Sequence, residues 1–183
     1  MASTRCATIL TCHNRKQKTL SCLDSLARQR ISGDVEIDVY LVDDGSTDGT
    51  AEAVRESHPD VDIIPADGSR FWAGGMRLGM SKAMQEGYDF YLWVNDDTVL
   101  YSDALNNLLE TYDELRSGRD PDAGLVVGST CDPQTGQHTY GGLRELKSCL
   151  SLGFSQMRPL KRPRKCDAMN GNCVLIAKDV VSA

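Results

Sequence analysis

Residues 88–103 read YDFYLWVNDDTVLYSD. The run from Phe90 to Val94 is apolar and aromatic, suited to a strand buried on both faces, and it stops at Asn95-Asp96-Asp97. An unpaired carboxylate is expensive to bury, so the pair has to be solvated, hydrogen-bonded or bound to a cation. Side chains alternate along an extended segment, which would send Asn95 and Asp97 one way and Asp96 the other. Two readings are open at this point. Carboxylate oxygens with free positions suit Mg2+ or Mn2+, which share such ligands with substrate phosphates. Equally, a solvated strand-to-helix turn would use Asp96 or Asp97 to cap a backbone N–H.

The flanking segments decide the architecture. Upstream, CATIL (Cys6 to Leu10) reads as a strand closed by the polar loop TCHNRK, and residues 17–30 as a helix with Leu20, Leu23, Leu26 and Ala27 on one face. Val35, Ile37, Val39 and Leu41 alternate as in a strand that stops at Asp43-Asp44-Gly45. A short helix follows over Thr50 to Glu56, with Ser46, Thr47 or Asp48 available near its start, then a short strand in VDIIP. From Gly74 to Glu86, Met76, Met80, Ala83 and Met84 recur at helical spacing and are expected in the core. Downstream, Leu105, Leu108, Leu109, Tyr112 and Leu115 mark a helix over Ser102 to Arg116, and LVVG a further strand. Strand and helix in alternation imply an α/β layer structure with a largely parallel sheet. The final third is turn-rich and more basic, and is expected to pack as strands or loops beside that sheet.

The chain has 183 residues and 40% hydrophobic content, enough for one domain with a full core. A formal net charge of −6 argues against nucleic acid as a partner. No apolar run approaches the ~20 residues of a bilayer span, and MASTRCATILTCHNRKQK lacks the apolar core of a secretory signal. Seven cysteines with no C-x-x-C pair argue against a zinc site or disulfide framework, and most are expected to be small buried hydrophobes. The expectation is a cytoplasmic protein with a reduced set of thiols.

Three polar clusters then fall at carboxyl ends of strands: Thr11 to Arg15, Asp43 to Asp48, and Asn95 to Asp97. Open α/β sheets bind ligands in the crevice outside those ends. In LVDDGSTDGT, Gly45 and Gly49 permit tight backbone geometry, and Ser46, Thr47 and Asp48 read as a turn and helix cap. Asp43 and Asp44 together exceed what a cap requires.

The order TILTCHNR, VYLVDDGSTDGT, FWAGGMRLGMSKAM, YLWVNDDT resembles the nucleotide-binding half of family 2 glycosyltransferases, which have the GT-A fold. The resemblance covers residues 5 to about 110 and resumes at DAMNGNCVLIAKDVV, similar to the strand entering the acceptor side. It implies one GT-A domain over 1–183, with a nucleotide-sugar part over 1–128 and the start of an acceptor-side part over 129–183. It implies a donor that is a UDP- or TDP-sugar, an acceptor hydroxyl on a glycan, polymer or lipid-linked intermediate, Mg2+ or Mn2+, and inversion at the anomeric carbon.

By the same resemblance, Thr11, Asn14 and Arg15 border the base, and Asp44 hydrogen-bonds it with Asp43 in support. Trp72, Gly74 and Gly75 pass the sugar and diphosphate, and Arg77 meets a phosphate at a place where similar enzymes often carry Asn. Asp96 touches ribose or donor sugar, with a second contact to the metal, and Asp97 ligates the metal in the family's DXD-type motif. The family's general base stands beyond a segment like NGNCVLIAKDVV, so it is expected beyond Ala183, and neither Asp167 nor Asp179 matches its position.

Other classes fit less well. Asp43-Asp44-Gly45 lacks the spacing and strand position of a haloacid-dehalogenase nucleophile loop. TCHNRK has no Gly for a nucleotidyltransferase, and no G-x-G-x-x-G follows a strand. The non-enzymatic alternative is a nucleotide-sugar-binding remnant or partnered domain without the base. LKRPRK (160–165) reads first as a solvated loop. Its functional reading is a segment that closes on the diphosphate or meets an anionic lipid-linked acceptor, with peripheral membrane association.

Overall fold

The computed structural model describes residues 3–148 and 151–181, so Cys149 and Ala183 lie outside the described residues. The chain alternates through β1 (Thr4–Cys12), α1 (Lys16–Ala27), β2 (Val35–Asp44), α2 (Thr50–Ser57), β3 (Asp62–Ala66), α3 (Phe71–Glu86), β4 (Phe90–Val94) and α4 (Ala104–Glu114). A π turn, Leu115–Arg119, leads to β5 (Leu125–Val127). The last third is β-rich: β6 (Thr130–Cys131), β7 (His138–Tyr140), β8 (Gly142–Ser148), β9 (Ser151–Gln156), β10 (Ala168–Met169) and β11 (Cys173–Ala177), then α5 (Lys178–Val181).

The central sheet runs β3-β2-β1-β4-β11-β5. Its first four strands are parallel, and β11 is antiparallel to both β4 and β5. The chain leaves β3 through α3 and re-enters on the far side of β1, so the strand order reverses between β1 and β4. That reversal opens a crevice at their carboxyl ends. The final third contributes more than side structures: β11 lies inside the sheet, which the turn-rich sequence around it did not announce.

Both faces of β1 are buried, as alternation in a central parallel strand requires. Cys6, Leu10 and Cys12 pack with Leu23 and Leu26 of α1, Val54 of α2 and Leu105 and Leu108 of α4. Ala7 and Ile9 face Met76 and Ala83 of α3, with Tyr91, Val174 and Ile176. Each fully buried Leu or Ile there contributes roughly 1.5–3 kcal/mol. The Met stripe is only partly core: Met76 is buried, but Met84 is 44% exposed. Eight residues at about 100° each carry Met84 about 80° round the helix from Met76.

Helix α1 stops at Ala27, short of the expected 30. Gln29 then ties its end to α4, donating to the Ser25 and Tyr101 carbonyls and accepting the Leu105 N–H. Cys6, Cys12, Cys22 and Cys173 are buried free thiols, and Cys131 and Cys166 are partly exposed. Burial pushes the Cys6, Cys12 and Cys173 thiols up to about 12, which keeps them unreactive.

Helix α3 lies against β1 because two glycines, one turn apart, face the strand. A Cβ on Gly75 would stand 2.1 Å from Thr11 Oγ1, and one on Gly79 would stand 2.7 Å from Ile9 Cγ2. Gly75→Ala gains up to about 1 kcal/mol of helix propensity but overpacks this contact at about 1–3 kcal/mol. The expected result is a lower urea midpoint with an unchanged slope. An unchanged or higher midpoint would show that α3 is free to shift.

Candidate functional site

Three loops meet at the crevice, and their polar side chains are stitched to one another. Asn14, at φ +53°, is in the left-handed region that Asn tolerates better than most residues. Its Oδ1 accepts the Thr47 N–H at 2.7 Å, and its own N–H donates to Ser46 Oγ at 3.0 Å. His13 Nδ1 lies 2.6 Å from the Asp44 carbonyl oxygen. Asp48 serves two helices at once, accepting the Lys16 N–H that starts α1 and the Thr50 N–H that starts α2. The Thr50 hydroxyl, with those N–H groups, holds the Asp48 carboxyl below the usual carboxylate range.

The two acids of VDDG have different tasks. Asp43 Oδ1 accepts the Ser46 N–H at 2.9 Å in a local turn, and Oδ2 has no hydrogen-bond partner among the described residues. Asp44 is buried, and its carboxylate accepts the backbone N–H groups of Gly68, Arg70 and Phe71 at 2.9–3.2 Å. Phe71 sits at φ +53° and is 79% exposed, a strained backbone position for an aromatic residue. Asp44 thus anchors the β3–α3 loop, and its acceptor capacity is largely spent on protein.

At the switch point itself the chain turns after Val94, with the Thr98 N–H returning to the Asn95 carbonyl at 3.0 Å. The turn overrides strand alternation, so Asp96 and Asp97 face the same cation instead of opposite sides. Arg15 Nη1 lies 3.0 Å from Asp96 Oδ1 and 3.1 Å from Asp97 Oδ2, and Lys18 Nζ lies 3.6 Å from that second oxygen. Asp96 is 5% exposed. Burial pushes its carboxyl above the ordinary value, with Arg15 pulling the other way. The same Asp96 charge raises the Arg15 guanidinium.

Trp72 Nε1 donates to Asn95 Oδ1 at 2.8 Å, and its ring meets Trp93 edge-on at 6.2 Å. The Trp72 ring also lies so close to Gly171 that a Cβ there would be 2.6 Å from Trp72 Cη2. Trp72 therefore joins α3, the carboxylate turn and the NGN segment. Thr11 is buried against Gly75, which packs α3 on β1, while Gly74 sits one turn after Arg70 at the start of the same helix. Arg77 is exposed on α3 with no ion-pair partner among the described residues. Sequence reasoning put Arg15 beside the base and passed over Lys18. Their signal was present as two cations at i and i+3 in the strand-to-helix segment facing the acidic pair.

The residues fit a divalent cation in a specific way. Asp96 Oδ2 is buried without a hydrogen-bond partner among the described residues, an oxygen left over for a ligand. No cluster of three or more His, Cys, Asp or Glu stands ready to hold a metal among the described residues. One or two carboxylates plus substrate phosphates is the usual Mg2+ arrangement, so this pair suffices only with a nucleotide present. Of the tail carboxylates, Asp167 accepts the Glu145 N–H and Asp179 pairs with Arg116 at 3.2 Å.

A six-stranded, mostly parallel sheet flanked by helices is the architecture of GT-A glycosyltransferases. The family model for glycosyl transferase family 2 matches residues 8–181, and the chain belongs to that family. A curated relative, poly-beta-1,6-N-acetyl-D-glucosamine synthase of Staphylococcus epidermidis, is 24% identical over 123 residues, 66% of this chain and 27% of that protein. A mannosyltransferase from Pyrobaculum calidifontis, solved in complex with GDP-Man and Mn2+, superposes with a TM-score of 0.60. It is 20% identical and is matched over 100% of this chain and 47% of its own. S. aureus TarS in complex with UDP-GlcNAc superposes at 0.52 with 22% identity, over 62% of this chain and 32% of its own. The chain thus spans less than half the length of each of these relatives.

Proposed function

We propose that this chain carries the donor site of a metal-dependent, inverting glycosyltransferase that uses a nucleotide-diphosphate sugar. The carrying observation is the Asp96–Asp97 pair at the switch point, with a buried Asp96 oxygen lacking a protein partner. Asp97, with Asp96 as second contact, would hold Mg2+ or Mn2+, which supplies charge stabilisation for the departing nucleoside diphosphate. The chain's own residues bind and orient. Asp43 and the Thr11–Arg15 loop border the base, with Asp44 fixing the loop beside it; Trp72 positions the Asn95 end of the turn; Arg77 offers an exposed cation to phosphate.

The reaction is a single displacement. An acceptor hydroxyl attacks the anomeric carbon, the bond to the diphosphate oxygen breaks, and the hydroxyl proton passes to a general base other than these donor-site residues. The donor class is UDP- or TDP-sugar. The acceptor is a glycan, polymer or lipid-linked intermediate. Exposed Leu160, Lys161 and Arg162 suit a peripheral contact with an anionic, lipid-linked acceptor at the cytoplasmic face. No helix of the described residues is long and apolar enough to cross a membrane.

Calorimetric titration of UDP, TDP and GDP, each with and without Mn2+, tests this reading. Binding of a uracil or thymine nucleotide that strengthens with Mn2+ is the expected result. Failure of all three nucleotides to bind the folded protein would overturn the donor site, and preference for GDP would overturn the base assignment.

A further inference from the structure

Arg15 is held as if to wait. Its carbonyl accepts both the N–H and the hydroxyl of Thr19, at 2.9 and 3.1 Å, and the next residue's N–H is fixed by Asp48 at 3.0 Å. From this anchored backbone the side chain crosses to the acidic turn and uses one nitrogen, Nη1, for both Asp96 and Asp97. This is not the two-nitrogen fork that makes Arg–carboxylate pairs strong. The Nε–H and the Nη2 hydrogens have no partner among the described residues, and the side chain is 46% exposed. The guanidinium neutralises the acids while keeping donors of the kind that bind phosphate.

Asp96 and Asp97 carry two negative charges, and Arg15 and Lys18 answer them with two positive ones. A divalent cation entering this balanced group alone would meet two resident cations across the carboxylates it needs. A cation arriving with a diphosphate restores the balance, because the diphosphate supplies anionic oxygens for the displaced guanidinium. Resting on the donor-site reading above, we propose that Arg15 is the resident counter-cation of the acidic pair, and that it makes metal and nucleotide binding mutually dependent. It acts on the metal through Asp96 and Asp97, and on the nucleotide through the guanidinium that the metal displaces. By linkage, whatever factor the nucleotide adds to metal affinity, the metal adds to nucleotide affinity.

The test is Mn2+ titration followed by the electron paramagnetic resonance signal of the free ion, with and without UDP, on the unaltered chain, Arg15→Gln and Arg15→Lys. Circular dichroism checks that each variant is folded. The expectation is that Arg15→Gln binds Mn2+ alone about tenfold more tightly than the unaltered chain, within the usual range of such couplings, and that the enhancement by UDP shrinks. Arg15→Lys keeps the charge and should resemble the unaltered chain. Equal or weaker Mn2+ binding by Arg15→Gln overturns the proposal, and so does an Arg15→Lys variant that behaves like Arg15→Gln. If instead the unaltered chain binds no UDP with Mn2+ present, the donor site itself is refuted, an outcome read from a different sample.

Discussion

Asp44→Ala is expected to lower stability by about 2–4 kcal/mol and to abolish nucleotide binding. The substitution removes the acceptor for the Gly68, Arg70 and Phe71 N–H groups. Hydrogen bonds to a charged acceptor contribute about 1.5–3 kcal/mol each, but water can reach the exposed residues 68–71, so the sum is discounted. The strained Phe71 backbone, worth about 1–3 kcal/mol, persists because the carboxylate holds it and would relax once the anchor is gone. Part of the loss therefore comes back as released strain, and the loop moves. Gly45 adds to the expectation: a Cβ there would lie 2.9 Å from the Gly68 nitrogen, so the two loops touch backbone to backbone. Urea unfolding and amide exchange check it. The midpoint should fall, and the amides of residues 68–71 should lose protection first. A variant with the original midpoint and intact protection would mean that the loop holds itself.

What the sequence disclosed followed from burial. Strands β1 and β4 were legible as the apolar runs that central parallel strands leave, and β2 from its alternation through Leu41; each ends on polar residues where the sheet stops. Helix α4 was legible from its phase, although its last turn became a π turn at Leu115–Arg119. The placement of β11 was not legible, since a run such as CVLIA says that it is buried but not which strands it joins. No Asn-Gly or Asp-Gly occurs in the sequence from Gly142 to Gln156, so the pairing of β8 with β9 had no local mark.

The site was legible as a set of residues and less so as a set of roles. Asp44 looks like a ligand-binding acid in sequence, yet its partners are backbone groups from a segment more than twenty positions away. Gly75 looks like a place for a ligand to approach, and what approaches is Thr11. Arg15 looks like part of a base-binding loop, and its distance to Asp96 depends on two strands becoming neighbours across the switch point. In each case the residue type was informative and the partner was set by long-range pairing.

Asp97→Ala separates binding from stability, in contrast to Asp44→Ala. Asp97 is partly exposed, and its protein contacts are the ion pairs to Arg15 and Lys18. Pairs of that kind contribute about 0–1 kcal/mol, and removing one of two adjacent carboxylates also relieves repulsion with Asp96, so the unfolding midpoint should barely move. Nucleotide binding should respond differently. With one of the two proposed metal ligands gone, Asp96 alone remains, buried and already committed through Oδ1 to Arg15. UDP affinity in Mn2+ is expected to fall about a hundredfold, equivalent to about 2.7 kcal/mol, while the weaker affinity without metal stays nearly constant. Calorimetry with and without Mn2+ reads both quantities on one sample. Undiminished Mn2+-dependent UDP binding would remove Asp97 from the metal site and leave the acidic turn a structural ion pair. Equal loss in both conditions would instead place Asp97 on the nucleotide.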